Sequence, residues 1–311
     1  MNKIAFLFAG QGAQYVGMGK ELYENYDIAK SIFDKANKIL DLDVKKLCFE
    51  GSEEELSRTE NTQPCMMTTA YAISSVLKEQ GIEATYAAGL SLGEYSALVY
   101  AGLLSFDEGL KLIQKRGKLM QNAIPDGIGS MAAILGLDIE IIENYCKEFK
   151  NGILEVANYN CPGQIVITGE KSAVEKAAID LKALGALKTI VLKVSGPFHS
   201  SMMKTAAIEL EAELLKLNYS SSNKFVLSNF DNEYYDDNKN NIIYKLKNQI
   251  CSSVRWEDNI RKMIEEGVET FIEIGPGKAL SAFMKKIDKS KVVYNVEDIK
   301  TLEKLLSELV R

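Results

Sequence analysis

Proline is scarce in this chain, five in 311 residues, and no low-complexity tract replaces it, so wholesale disorder is excluded and the chain is expected to fold throughout. Cysteine is sparse too. Cys48, Cys65, Cys146, Cys161 and Cys251 are odd in number, widely scattered and without a C-x-x-C spacing, which excludes a disulfide framework and gives no zinc site; they read as buried, reduced thiols. Basic residues are outnumbered by acidic ones, 37 against 43, and the net charge of −6 argues against a nucleic-acid surface, so an anionic partner would have to meet a local basic patch. Long apolar runs are missing. The stretch Ile4–Ala9 is too short for a signal peptide, no run of about 18 apolar residues occurs, and a cytoplasmic protein without membrane contact is expected. Histidine is rarest of all: His199 stands alone.

What is present reads as an ordinary α/β chain, longer than one average domain of ~150 residues. Lys3–Phe8 is a short apolar strand ended by glycines. Helical spacing follows over Gly19–Leu40 and Thr62–Gln80, the latter opened by Thr62 as N-cap with Pro64 in its first turn. Ser52 to Glu55 fits a capping box. Tyr86–Gly89 is a second strand, and Leu92–Ala101 and Ser105–Ala123 are helices. From Ser130 the order becomes strand, helix, strand, strand, helix, strand (130–135, 138–149, 153–157, 164–168, 172–184, 188–194), the ferredoxin-like βαββαβ unit. After it come a helix over Ser201–Leu217, a strand at Phe225–Ser228, a loop at Asp231–Asn241, and helices at Ile242–Ile250 and Trp256–Glu266. Strand Thr270–Ile274, a helix opened by Gly275-Pro276-Gly277, strand Lys291–Asn295 and a last helix close the chain. The expected architecture is therefore a larger α/β-hydrolase-like domain, residues 1–126 and 197–311, interrupted by a ferredoxin-like subdomain at 127–196. Clefts form where such modules meet.

Gly89-Leu90-Ser91-Leu92-Gly93 is G-x-S-x-G between a strand and a helix, where a sharp turn can expose a serine oxygen beside the unpaired N–H groups of the helix start. The pentapeptide alone equally fits a glycine-rich turn with Ser91 as a plain cap. His199, at the exit of the insertion in Ser195-Gly196-Pro197-Phe198-His199-Ser200, is the one imidazole that could serve Ser91 as a base. Its place in the chain departs from the serine, acid, histidine order of ordinary α/β-hydrolases.

On the helix 105–123, about 100° per residue puts Lys111, Gln114, Lys115, Lys118 and Asn122 on one polar face. Arg116 falls instead in the apolar arc with Leu112, Ile113, Leu119 and Met120, which implies either a structural ion pair or a site for a carboxylate. Gly10-Gln11-Gly12 imitates a nucleotide loop, but Met18 and Gly19 stand where a P-loop needs lysine and a hydroxyl, and Tyr15 replaces the third glycine of G-x-G-x-x-G. A tight loop presenting N–H groups at a strand end is the better reading.

Phe8-Ala9-Gly10-Gln11-Gly12-Ala13-Gln14, Thr62-Gln63-Pro64, Gly89 to Glu94, Lys115-Arg116-Gly117, Gly196 to Ser200, and Gln249 before Val254-Arg255-Trp256 together resemble the malonyl-CoA:acyl carrier protein transacylases of bacterial type II fatty acid synthesis, over nearly the whole chain. The resemblance implies Ser91 as nucleophile, His199 as its base, and the Gln249 backbone carbonyl as the group orienting the imidazole. It implies an oxyanion hole from the N–H groups of Gln11 and Leu92, malonyl carboxylate binding by Arg116, and Gln63 as a further substrate-binding residue. Without the resemblance Gln249 reads as a surface helix residue and Gln63 as a helix-start amide. Leu90 stands where most relatives carry histidine, which removes a polar contact and leaves the elbow intact.

The implied reaction is acyl transfer in two steps through a malonyl-serine, with malonyl-CoA and acyl carrier protein as partners and no metal or redox cofactor. A malonyl-selecting acyltransferase of polyketide synthesis would share every residue named; a serine hydrolase would release the acyl group to water, and a non-catalytic binding module would not depend on Ser91. Lys115 and Lys118, with Lys188 and Lys193 before His199, are the expected carrier-facing charges.

Overall fold

The computed structural model describes residues 3–194 and 196–309, so Ser195, the first residue of the histidine-bearing segment, lies outside them. Nine strands are formed: β1 (Lys3–Phe8), β2 (Tyr86–Gly89), β3 (Gly129–Leu135), β4 (Leu154–Cys161), β5 (Gln164–Glu170), β6 (Lys188–Val191), β7 (Phe225–Val226), β8 (Val268–Ile274) and β9 (Val292–Val296). They make two separate sheets. The first is parallel, in the order β7-β2-β1-β8-β9, with Phe8 level with both Gly89 and Ile274. The second is antiparallel, in the order β4-β5-β3-β6, and comes entirely from the stretch expected to be inserted.

Strand β1 shows why the parallel sheet lies in the middle of its layers. Phe6 and Phe8 pack with the helices Asp27–Ile39, Thr59–Glu79, Leu92–Ala101 and Phe106–Asn122, whereas Ala5 and Leu7 face the other way onto Trp256, Ile260, Met263 and Met284. Both alternating faces are buried, so the run carries no polar residue after Lys3. The antiparallel sheet has a small core of its own, with Ala132, Ile134, Ile165 and Ile167 against Val174, Ala177 and Leu181. Its opposite face, Met131, Ala133 and Val166, joins the main core. Strand β4 is stitched to the larger layer: Tyr159 N–H donates to the Val254 carbonyl at 3.0 Å, and Val254 N–H to Ala157 at 2.8 Å. Among the described residues β6 is an unpaired edge, with Leu187 just before it 76% exposed and Val191 at its end 50% exposed.

Several local expectations are corrected. The segment 19–40 is two helices, Lys20–Asn25 and Asp27–Ile39, because Tyr26 takes an extended conformation that caps both. The long helix starts at Thr59, not Thr62, whose hydroxyl instead donates back to the Leu56 and Arg58 carbonyls; Pro64 lies past the first turn. The helix before Gln249 starts at Lys239, within the expected loop, capped by the Asn238 side chain. Strand β6 ends three residues short of Val194 and β7 two short of Ser228, while β4 and β5 run longer than expected. The capping box at Ser52 and Glu55 forms. All five cysteines are free, but Cys146 and Cys251 are only partly buried. Among the described residues, no helix is long and apolar enough to cross a membrane.

Candidate active site

Strands β1 and β2 end side by side, and the turn after β2 carries Ser91 with φ 54° and ψ −104°, a conformation non-glycine residues rarely adopt. Two glycines make the turn possible. A Cβ on Gly89 would lie 1.9 Å from the Gly93 carbonyl carbon, and one on Gly93 would lie 2.2 Å from the Phe8 carbonyl oxygen. The turn is then clamped from both sides: Ser91 N–H donates to Asn229 Oδ1 at 2.7 Å, and its carbonyl accepts from Gln249 Nε2 at 2.8 Å. A strained backbone persists only where its surroundings over-determine it.

The serine oxygen lies 2.7 Å from His199 Nε2, and the other imidazole nitrogen, Nδ1, lies 2.8 Å from the Gln249 backbone carbonyl. A carbonyl can only accept, so Nδ1 carries the proton and Nε2 presents its lone pair to the Ser91 hydroxyl. His199 is itself at positive φ, 59°, and 4% exposed. Burial, helped by the Arg116 charge, pushes its pKa down to about 4, so the imidazole is neutral at physiological pH.

Arg116 is fully buried, as its position in the apolar arc predicts, while Lys111, Lys115 and Lys118 on the same helix are exposed. Its partners are not acids. Nη1 donates to Gln63 Oε1 at 2.9 Å, Nη2 to Gln249 Oε1 at 3.0 Å and to Ser91 Oγ at 3.1 Å, and the guanidinium sits 4.9 Å from the Tyr95 ring centre. A structural ion pair with a carboxylate as direct partner is thereby excluded. Burial lowers its pKa from the ordinary arginine value, which is high enough that the charge stays. A buried cation held by neutral amides beside the serine keeps its charge unneutralised by any direct carboxylate partner among the described residues, and can pair with an anionic group.

Ser91 and His199 open onto a cavity of about 260 Å³, lined also by Gln11, Leu90, Met120 and Phe198 on one side and by Met131, Asn158, Asn160, Val166 and Leu192 of the stretch that forms the antiparallel sheet, while Arg116 is buried 3.1 Å from Ser91 Oγ. A larger depression of about 860 Å³ around Arg255 and Arg261 touches neither Ser91 nor Arg116. Leu92, as first residue of its helix, has an N–H with no intrahelical acceptor, next to Ser91. Gln11 lines the same cavity and is anchored by its side chain to the Thr59 hydroxyl at 3.1 Å. Among the described residues, no group of three or more His, Cys, Asp or Glu side chains is placed to hold a metal ion.

The acyl transferase domain model matches residues 5–307. The chain belongs to the acyl transferase domain family. Among curated relatives of this family, the malonyl CoA-acyl carrier protein transacylase of Bacillus subtilis (strain 168) is 46% identical over 311 residues, covering 99% of this chain and 98% of its own. That of Staphylococcus aureus (strain MSSA476) is 41% identical, covering 96% and 98%. The crystal structure of the Clostridium perfringens transacylase superposes with a TM-score of 0.95 at 49% identity, covering 99% and 97%. A malonyl-transacylase in complex with a type II polyketide acyl carrier protein superposes equally well, 0.95, at 38% identity, covering 98% and 99%.

The fold thus brings together Ser91, His199, Arg116, Gln63 and Gln249 within one hydrogen-bonded cluster, with Gln11 and Leu92 at its edge. Reading Gln249 and Gln63 as a surface and a helix-start amide is wrong on the residues: they are 0% and 1% exposed. Sequence reasoning missed Asn229 altogether, and it gave Glu94 no role although an acid inside the otherwise apolar helix LGEYSALVYA was the visible signal.

Proposed function

We propose that this acyltransferase moves the malonyl group from malonyl-CoA to the phosphopantetheine thiol of acyl carrier protein, for fatty acid synthesis, through a malonyl ester on Ser91. The observation that carries the reading is a single oxygen, Ser91 Oγ, 2.7 Å from a neutral imidazole nitrogen and 3.1 Å from a buried guanidinium.

In the first step His199 Nε2 takes the Ser91 proton as Oγ attacks the thioester carbonyl, and the tetrahedral oxyanion is met by the N–H groups of Gln11 and Leu92. The C–S bond breaks and the coenzyme A sulfur leaves with the proton from Nε2. In the second step the carrier thiol gives its proton to Nε2, attacks the ester, and Ser91 Oγ departs and is reprotonated. Gln249 holds the imidazole through its backbone carbonyl where a classical triad has an acid. Arg116, steadied by Gln63, pairs with the free malonyl carboxylate, which acetyl groups lack. Thioester is exchanged for thioester, so the chemistry needs neither a redox equivalent nor a metal.

The βαββαβ order and the arrangement of its sheet support a ferredoxin-like subdomain at 127–196, inserted in an α/β-hydrolase-like domain of residues 1–126 and 197–311. We place the reaction in the cytoplasm, with the carrier approaching the exposed Lys115, Lys118, Lys188 and Lys193 and with no part for nucleic acid or membrane. Incubation with malonyl-CoA and holo acyl carrier protein tests the reading: mass spectrometry should show one malonyl group on the carrier thiol, dependent on this protein. Release of free malonate instead, with the carrier unmodified, would make it a hydrolase.

A further inference from the structure

Glu94 is wholly buried one turn beyond the nucleophile, and the mechanism above gives it nothing to do. Its carboxylate accepts from three donors. Oε2 takes the Gln249 side-chain amide at 2.8 Å and the Asn229 backbone N–H at 3.1 Å, and Oε1 takes the Tyr235 hydroxyl. Each of the first two donors belongs to a residue that clamps the serine turn: Gln249 Nε2 also holds the Ser91 carbonyl, and the Asn229 side chain holds the Ser91 N–H and the Gly89 carbonyl. Gln249 further supplies the carbonyl that orients His199 and the amide oxygen that meets Arg116.

We propose that Glu94 is a positioning residue for the acyl transfer, a buried carboxylate that acts one residue removed from the imidazole by fixing Gln249 and Asn229, and through them the strained turn and the base. The proposal rests on the reading of Ser91 and His199 as the reacting pair. Three donors converge on one carboxyl group, and two of the residues that supply them lead, by one further hydrogen bond each, to the N–H and the carbonyl of the strained Ser91. An apolar residue at position 94 would leave one N–H of the Gln249 amide, and the Asn229 backbone N–H, buried and unpaired. Burial raises the carboxyl pKa to about 7, and the three hydrogen bonds and the Arg116 charge work against that rise. Arg116 has independent anchors in Gln63 and the Tyr95 ring, so loosening Gln249 falls on the chemical step before it falls on substrate affinity.

The test measures the rate at which Ser91 is labelled, by malonyl-CoA and separately by an uncharged fluorophosphonate that needs the serine and histidine but not Arg116. If the parent takes the fluorophosphonate but not malonyl, the functional reading fails while the role of Glu94 is still read from the second probe. E94Q keeps an oxygen for Gln249 and Asn229 and turns its amide to Tyr235, and should slow both labelling rates about tenfold, with KM for malonyl-CoA within threefold of the parent. E94L should slow them about a hundredfold, and E94Q carries the test alone if that variant does not fold. The tenfold effect of E94Q should shrink in a Q249A background, because part of it runs through the Glu94–Gln249 bond while the Asn229 branch remains. Parent rates in E94Q, a change confined to KM, or an undiminished effect in Q249A would each overturn the proposal.

Discussion

Two parts of the molecule face each other across the cavity and contribute differently to it. Among the described residues, the parallel-sheet side supplies the groups bonded to the serine oxygen, His199 and Arg116, and the groups that hold those two, Gln63, Gln249 and the Tyr95 ring. From the antiparallel side come wall residues, Met131, Asn158, Asn160, Val166 and Leu192, and among the described residues none of these hydrogen-bonds to Ser91 Oγ. The chemistry needs atoms fixed to fractions of an ångström, and that demands several cross-links per residue. A wall needs only shape. The two parts are linked by hydrogen bonds from β4 to Val254 and from the Ser201 N–H to Glu155 at 2.7 Å, and by Met131, Ala133 and Val166 packed into the main core, so the smaller part braces the segments that follow His199 and Gln249.

That division is broken most severely if a parallel-side residue proves dispensable. His199→Ala should slow malonyl labelling of Ser91 by a factor of about 10² to 10⁴, the usual worth of general acid–base help, as read by quenched-flow mass spectrometry. Arg116→Ala should cut kcat/KM for malonyl-CoA by about 10² or more while acetyl-CoA is used as well as before or better, because the buried cation that rejects a neutral acyl group is gone. Equal losses for both substrates would return Arg116 to a structural part.

The pH profile sharpens the same comparison. His199 acts as a base only when neutral, and its pKa lies at about 4, so the acid limb of kcat/KM should fall near pH 4, well below the value of about 6.5 for an exposed imidazole. The sign for stability follows: the unfolded chain takes up this proton as pH drops through about 6.5, the native state only near 4, so stability held above 6.5 is lost across that window. The smallest effect is expected at the rim. Charge reversal of Lys115, Lys118, Lys188 and Lys193 should raise KM for the carrier several-fold and flatten its salt dependence, screening acting over roughly 8 Å at 0.15 M, with Ser91 labelling by malonyl-CoA unchanged. Lys115 also lies 3.9 Å from Glu213, so its single reversal should matter least of the four.

Much of this was legible before the fold was known, and the reason is local. The elbow at Ser91 is written in one pentapeptide, Arg116 betrays itself by helical arithmetic, and His199 is conspicuous because it has no rival. The alternation of strand and helix also locates the second sheet to within a few residues. Gln249 reads as a surface helix residue and Gln63 as a helix-start amide because their burial is decided by the helix Phe106–Asn122, which lies far away in sequence and brings Arg116 between them. Asn229 follows a two-residue strand and bonds across 138 positions to Ser91, a contact no local pattern encodes. Thr62 was misplaced as a cap because a threonine before a proline imitates a helix start, whereas its hydroxyl satisfies carbonyls of the preceding turn.

The central claim is that Ser91 carries the acyl group, and intact-protein mass after incubation with malonyl-CoA and no acceptor tests it most directly. The parent should gain one malonyl unit, mapped by peptide digestion to Ser91, and lose it on addition of holo acyl carrier protein, while Ser91→Ala gains none. A parent that stays unmodified while still catalysing transfer, or an alanine variant that takes up the same mass, would contradict it.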